Sequence, residues 1–166
     1  MKLIGAILCA AAWVTVGIMY YVNKKGRLAA LLSLSQAFAA MRSELEVRLS
    51  PLPELMRTPA AGYAAVFLEN ASKGMDRIGE KELSLIWTEA LEECPPLLSG
   101  DEKRIVKALG TILGRATLDT QLQALSDASG RLTNRAEELR QKLPTARKLS
   151  LGLSAAFGLL TAIMLM

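Results

Sequence analysis

Histidine does not occur anywhere in this chain of 166 residues. Its absence excludes imidazole acid–base catalysis, Ser-His and Cys-His nucleophile pairs, and every metal site that needs a His ligand. Cysteine is nearly as scarce: Cys9 lies in an apolar run and Cys94 in a polar stretch. Two thiols so placed make neither a disulfide framework nor a zinc site, and they read as small packing residues. Aromatic residues make up only 5% of the chain, and no strand pattern competes with the helical periodicities. The net charge of +4, from 20 basic and 16 acidic side chains, is too mild and too evenly mixed for a nucleic-acid binder. A phosphate loop is missing as well. Gly110-Thr111-Ile112-Leu113-Gly114 lacks the Lys-Ser/Thr pair that would hold phosphate and magnesium. No catalytic, cofactor-binding or metal-binding residue and no small-molecule substrate are expected, so the work falls to surfaces.

What the chain does have is two long runs without charge. Leu3 to Val22 is twenty residues long, bounded by Lys2 and by Asn23-Lys24-Lys25-Gly26-Arg27. As a helix it is ~30 Å long, the thickness of a bilayer core. The second run, Leu149 to Met166, covers eighteen residues and would reach ~27 Å. Helices in the core of a small soluble domain do not stay apolar on all faces over such lengths. Both runs are therefore expected to span a membrane. Ala10-Ala11-Ala12 falls inside the first run, and strong positive charge follows that run instead of preceding it, so a cleaved signal peptide is disfavoured. Lys24, Lys25 and Arg27 after the first run, and Arg140, Lys142, Arg147 and Lys148 before the second, place residues 23–148 in the cytoplasm and both termini outside. Small residues four apart, such as Gly5 and Cys9 or Gly152 and Ala156, suit close helix contact in lipid.

Between the runs the reading is all-α: an up-and-down, membrane-anchored helical bundle with one transmembrane helix at each end. The domains are 1–22, 23–148 and 149–166. Leu31, Leu34, Phe38, Met41 and Leu45 form one stripe of a long helix that continues out of the first span. Ser50-Pro51 reads as the N-cap and first position of a short helix over Leu52 to Arg57. A third helix, Ala60 to Lys73, buries Tyr63, Val66 and Phe67 and closes at Gly74. A fourth begins near Glu80, presents Leu83, Trp87, Ala90, Leu91 and Cys94, and stops at Pro95-Pro96. A fifth starts at Ser99-Gly100-Asp101 and carries Ile105, Val106, Leu109, Ile112 and Leu113. On it, Gly110 and Gly114 mark a close helix contact and a helix end, or a hinge.

The last helix is the most regular. Leu118, Leu122, Leu125, Ser129, Leu132, Ala136, Leu139 and Leu143 alternate steps of four and three, with Pro144 a kink before the second span. Such a stripe suits a dimeric coiled coil, which would make the chain a two-span adaptor or sensor. It suits equally an antiparallel partner within the chain, the stripe from Leu31 to Leu45, and the internal pairing is preferred. Glu89, Glu92 and Glu93 on one helix and Lys103, Arg104 and Lys107 on the next face each other across a hairpin or stand in solvent.

In this order and spacing the chain resembles the stage III sporulation protein AB family of endospore-forming bacteria. The resemblance rests on Lys2-Leu3-Ile4-Gly5-Ala6, on Ser50-Pro51-Leu52, on Leu109-Gly110-x-x-Leu113-Gly114 with Gln121 downstream, and on Lys148, Leu149, Gly152 and the end Leu165-Met166. Thr117 departs from it, where the family often has an acid. The resemblance implies a non-enzymatic scaffold in the mother-cell membrane facing the forespore. It would be part of a trans-envelope channel complex, with a cytoplasmic ATPase and membrane ring components as partners. It also implies a cytoplasmic domain similar to the inner-membrane platform protein of type II secretion. Leu109, Gly110, Leu113, Gly114, Gln121, Leu125, Leu132 and Leu139 are the candidate structural and interface residues.

Overall fold

The structure, a computed structural model, describes the backbone of residues 2–165, and the side chains of Thr15, Met19, residues 22–76 and residues 78–142. The described backbone is all-helical. Its elements are α1 (Lys2–Arg48), α2 (Leu52–Leu55), α3 (Gly62–Gly74), a short 3-10 turn (Met75–Arg77), α4 (Leu83–Glu92), α5 (Gly100–Ile112) and α6 (Leu118–Leu165). Two compact units divide it: residues 1–26 with 137–166, and Arg27–Ala136. In the first unit the described side chains include the exposed Met19 and Val22 and a loose Arg140–Glu137 pair at 3.9 Å. The spans expected over 3–22 and 149–166 fall on segments whose side chains, bar Thr15, Met19 and Val22, lie outside the described residues, as do Cys9 and Leu143. Among the described residues no helix is long and apolar enough to cross a membrane. α6 is one continuous helix through Pro144.

The second unit carries the core. Leu31, Leu34, Phe38, Met41 and Leu45 are all buried on α1, as the 3–4 spacing requires of one helix face. Opposite them, Leu125, Leu132 and Ala136 are buried on α6. A polar rung fixes how the two helices meet. The Ser35 hydroxyl lies 2.6 Å from Thr133 Oγ1, and Ser129 Oγ donates to the Ser35 carbonyl at 3.0 Å. α1 and α6 are therefore antiparallel neighbours within one chain, with Leu34 level with Leu132 and Met41 with Leu125. α1 ends where Leu49 takes a left-handed conformation (φ 51°), a place glycine usually fills.

Three local expectations change. Pro51, not Ser50, occupies the N-cap of α2, and no side chain caps that helix; the Ser50 side chain is buried instead. Val66 is 42% exposed while Tyr63 and Phe67 are buried, so the inner face of α3 is set by Tyr63, Ala64, Phe67, Leu68 and Ala71. Gly74 does not end its helix in a left-handed turn: at φ −68° the chain passes on into the 3-10 turn. Its missing side chain makes room for Ile86, whose Cγ2 a Cβ at Gly74 would strike.

A candidate interaction corner where α4, α5 and α6 meet

Trp87 organises this region. It is fully buried on α4, and its indole N–H donates to the Val106 carbonyl on α5 at 2.7 Å. Phe67 of α3 meets the ring edge-on at 4.8 Å, and Phe38 of α1 stacks at 6.2 Å. The ring thus joins four helices, contributing apolar burial and aromatic contacts together. α5 reaches it only because residue 110 has no side chain. A Cβ at Gly110 would sit 2.5 Å from Trp87 Cδ1 and Cγ.

Leu109 and Leu113 flank Gly110 and are buried in the same core. Gly114 then ends α5 with φ 79°, where a Cβ would also collide with Leu52 of α2. Gln121, one turn into α6, closes the corner. Its amide nitrogen donates to the Ala116 carbonyl at 2.8 Å, and its oxygen accepts a long bond from the Gly114 N–H at 3.4 Å. Thr117 immediately precedes α6, its carbonyl accepting the Gln121 N–H at 3.0 Å and its hydroxyl lying 2.9 Å from Thr120 Oγ1. That is the N-cap position, where Thr, Ser, Asp and Asn all serve. Five of the sequence-chosen residues, Leu109, Gly110, Leu113, Gly114 and Gln121, are therefore gathered into one corner. Leu125 and Leu132 belong to the seam with α1, and Leu139 is half-buried in the other unit.

Of the charged residues expected to face each other across the α4–α5 hairpin, Lys107 pairs with Glu92 at 2.8 Å. Glu89 pairs instead with Lys81, which precedes α4, at 2.6 Å, and Arg104 pairs with Asp101 of its own helix. The Lys107 ammonium holds the Glu92 carboxyl below its usual range. Sequence reasoning missed the strongest ion pair. Glu102 is 1% exposed and receives Arg27 Nη2 at 2.7 Å and Nε at 3.0 Å. It also receives the Ser99 backbone N–H at 2.7 Å, completing a capping box at the start of α5. Burial pushes this carboxyl up, but the Arg27 guanidinium and the Ser99 bonds outweigh it and hold it below its ordinary value. The Ser99-x-x-Glu102 spacing is the sequence signal of such a box; nothing in the sequence points to Arg27.

Cys94 is buried and donates to the Ala90 carbonyl at 3.2 Å; burial pushes its thiol up, away from the reactive thiolate. Burial likewise raises the neighbouring Tyr63 hydroxyl, with Cys94 adding to the shift. Among the described residues no group of three or more acidic or cysteine side chains is placed to hold a metal ion.

The whole-chain comparison decides what this corner belongs to. The sequence pattern of the family described as stage III sporulation protein AB matches residues 2–166. The chain belongs to that family. No curated protein and no solved structure matches it. Membership suggests a role in sporulation with a membrane association. In this structure Leu109, Gly110, Leu113, Gly114 and Gln121 lie at the end of α5 and the turn into α6.

Proposed function

We propose that this stage III sporulation protein AB family member is a non-enzymatic platform held in the membrane by residues 3–22 and 149–166, with residues 23–148 in the cytoplasm. Its helical unit presents binding surfaces to a cytoplasmic ATPase and to the membrane components of a channel complex between mother cell and forespore. The observation that carries this reading is what the residues at the turn from α5 into α6 do. Gly110, Gly114 and Gln121 shape a rigid corner against Trp87 and Leu52, and none of them is arranged for chemistry. Residues that fix a shape are what a protein needs if it transmits force or positions partners. The uncharged runs and the basic residues on their inner flanks support the membrane placement. The exposed Met19 and Val22 side chains suit a lipid-facing helix.

The test is crosslinking and co-purification of the tagged full chain from sporulating cells. The expected result is capture of an ATPase together with membrane proteins needed for forespore development. Recovery of the chain from the soluble fraction, or from membranes without those partners, would refute the platform.

A further inference from the structure

The two most exposed large apolar side chains of the Arg27–Ala136 unit stand together at one end of it. Val47 is 77% exposed and Leu49 64%. The rung from Ser35 to Ser129 and Thr133 sets α1 and α6 antiparallel, which brings Leu49 level with the start of α6, where Leu118 is also exposed. Half-buried Leu52 and Leu83 lie beside them, both within 3.4 Å of where a Cβ at Gly114 would stand. Arg27 and Ala136, which bound the unit, are at its other end, ~30 Å away along α1. Leu49 is the residue that folding does not explain. Its backbone is left-handed (φ 51°), a conformation that strains leucine and not glycine. Its side chain gains no burial in return. A residue held in a strained conformation without packing inside the fold points to a use outside it.

We propose that this tip docks a soluble protein that offers an apolar socket with a basic rim. Under the platform reading, on which the identity of that partner rests, it is the ATPase. The charges select this occupant. Several are satisfied within the chain: Arg48 by Glu44, Arg42 by Glu46 and Arg115 by Glu82. Glu54, Glu80 and Asp119 are exposed and have no ion pair among the described residues, with only Arg57 unpaired on the basic side. A partner that covers Val47 and Leu49 must therefore bring lysines or arginines to these acids, because charge left unpaired at a contact weakens it. Acidic lipid headgroups would be repelled. A second copy held in the same membrane runs in the same direction and brings the same acids alongside.

The test places a photo-crosslinking amino acid at Val47, and separately at the exposed Asn134 on the flank of α6, in the tagged full chain of sporulating cells. Adducts are identified by mass spectrometry. Position 47 is expected to join the ATPase that the tagged wild type captures, and position 134 is not. Leu49→Gly should cut ATPase capture by at least about tenfold, the scale of losing a central apolar anchor. Because it relieves the strained backbone, the same variant should melt in detergent at or above the wild-type temperature. A leucine needed only for the fold would do the reverse. Asp119→Lys should weaken capture, and Asp127→Lys, further along α6, should leave it unchanged. Adducts of position 47 with lipid, with another copy or with a membrane protein overturn the proposal. So does a Leu49→Gly chain that melts below wild type. Capture that survives Leu49→Gly or Asp119→Lys overturns this inference alone and leaves the platform standing. Absence of ATPase capture by the wild type overturns both.

Discussion

Gly110 and Trp87 touch so closely that the space for one methyl group between them does not exist: a Cβ at Gly110 would lie 2.5 Å from two ring carbons. The ring cannot easily yield. It is held by the bond to Val106 and by Phe38 and Phe67, and cores are packed as densely as organic crystals.

Gly110→Ala is therefore expected to destabilise the chain although alanine favours helix by ~1 kcal/mol. Overpacking typically costs ~1–3 kcal/mol, so the net effect is a lower melting temperature. Gly100→Ala, where an added Cβ meets nothing, should be neutral or slightly stabilising. Equal melting of Gly110→Ala and wild type would show that α5 does not press on the indole.

How far this was visible beforehand depends on the kind of contact. The buried face of α1 and most of that of α6 followed from spacing alone, because a 3–4 repeat has only one way to lie on a helix. The close approach at Gly110 was one of two readings of a glycine pair, and only the position of Trp87 decides it. Arg27 with Glu102 was out of reach, because the partners are 75 residues apart and each sits in an ordinary run of charges. The third helix does end at Gly74, but the contact that needs a glycine there was out of reach for the same reason: its neighbour Ile86 comes from another helix. Local rules fix faces and caps; they do not say which element arrives on the other side.

The Arg27–Glu102 pair should make stability depend on pH. The folded-state carboxyl titrates below its ordinary value. Its contribution is therefore complete above the unfolded carboxylate pKa of ~4.3 and is lost as pH falls through the lower folded value. Glu102→Gln should cost ~1.5–3 kcal/mol at neutral pH, the scale of a charge-assisted hydrogen bond. The gap between wild type and variant should close as the solution is acidified below the carboxylate range. Melts of both chains from pH 7 downwards measure it. A gap that is constant or widens in acid contradicts the assigned direction.

Leu132 is fully buried on α6, level with Leu34 of α1. Leu132→Ala should cost ~2–5 kcal/mol as a buried truncation and should reduce spore yield without touching a partner. Asn134, two residues on and exposed, should tolerate alanine within ~0.5 kcal/mol. Spore counts and thermal melts of the two variants compare them directly, and a reversed order would mean that the inward face of α6 is wrongly assigned.

Thr117 occupies the N-cap position of α6, its hydroxyl 2.9 Å from Thr120 Oγ1. A threonine hydroxyl and a carboxylate both accept hydrogen bonds from the first turn of a helix. An acid adds attraction to the positive end of the helix dipole, typically ~0.3–1 kcal/mol. Thr117→Asp is thus expected to raise the melting temperature slightly. Asp119 in the same first turn opposes part of that gain by repulsion, so the lower end of the range applies. Thr117→Ala removes the hydroxyl and should cost ~0.5–2 kcal/mol, as loss of a cap usually does. Added salt should shrink the advantage of Thr117→Asp, because a surface charge effect is screened, while leaving the loss in Thr117→Ala nearly unchanged. If Thr117→Asp destabilises at low salt, residue 117 does not act through the helix N-terminus, and its contact with Thr120 becomes the interaction to test.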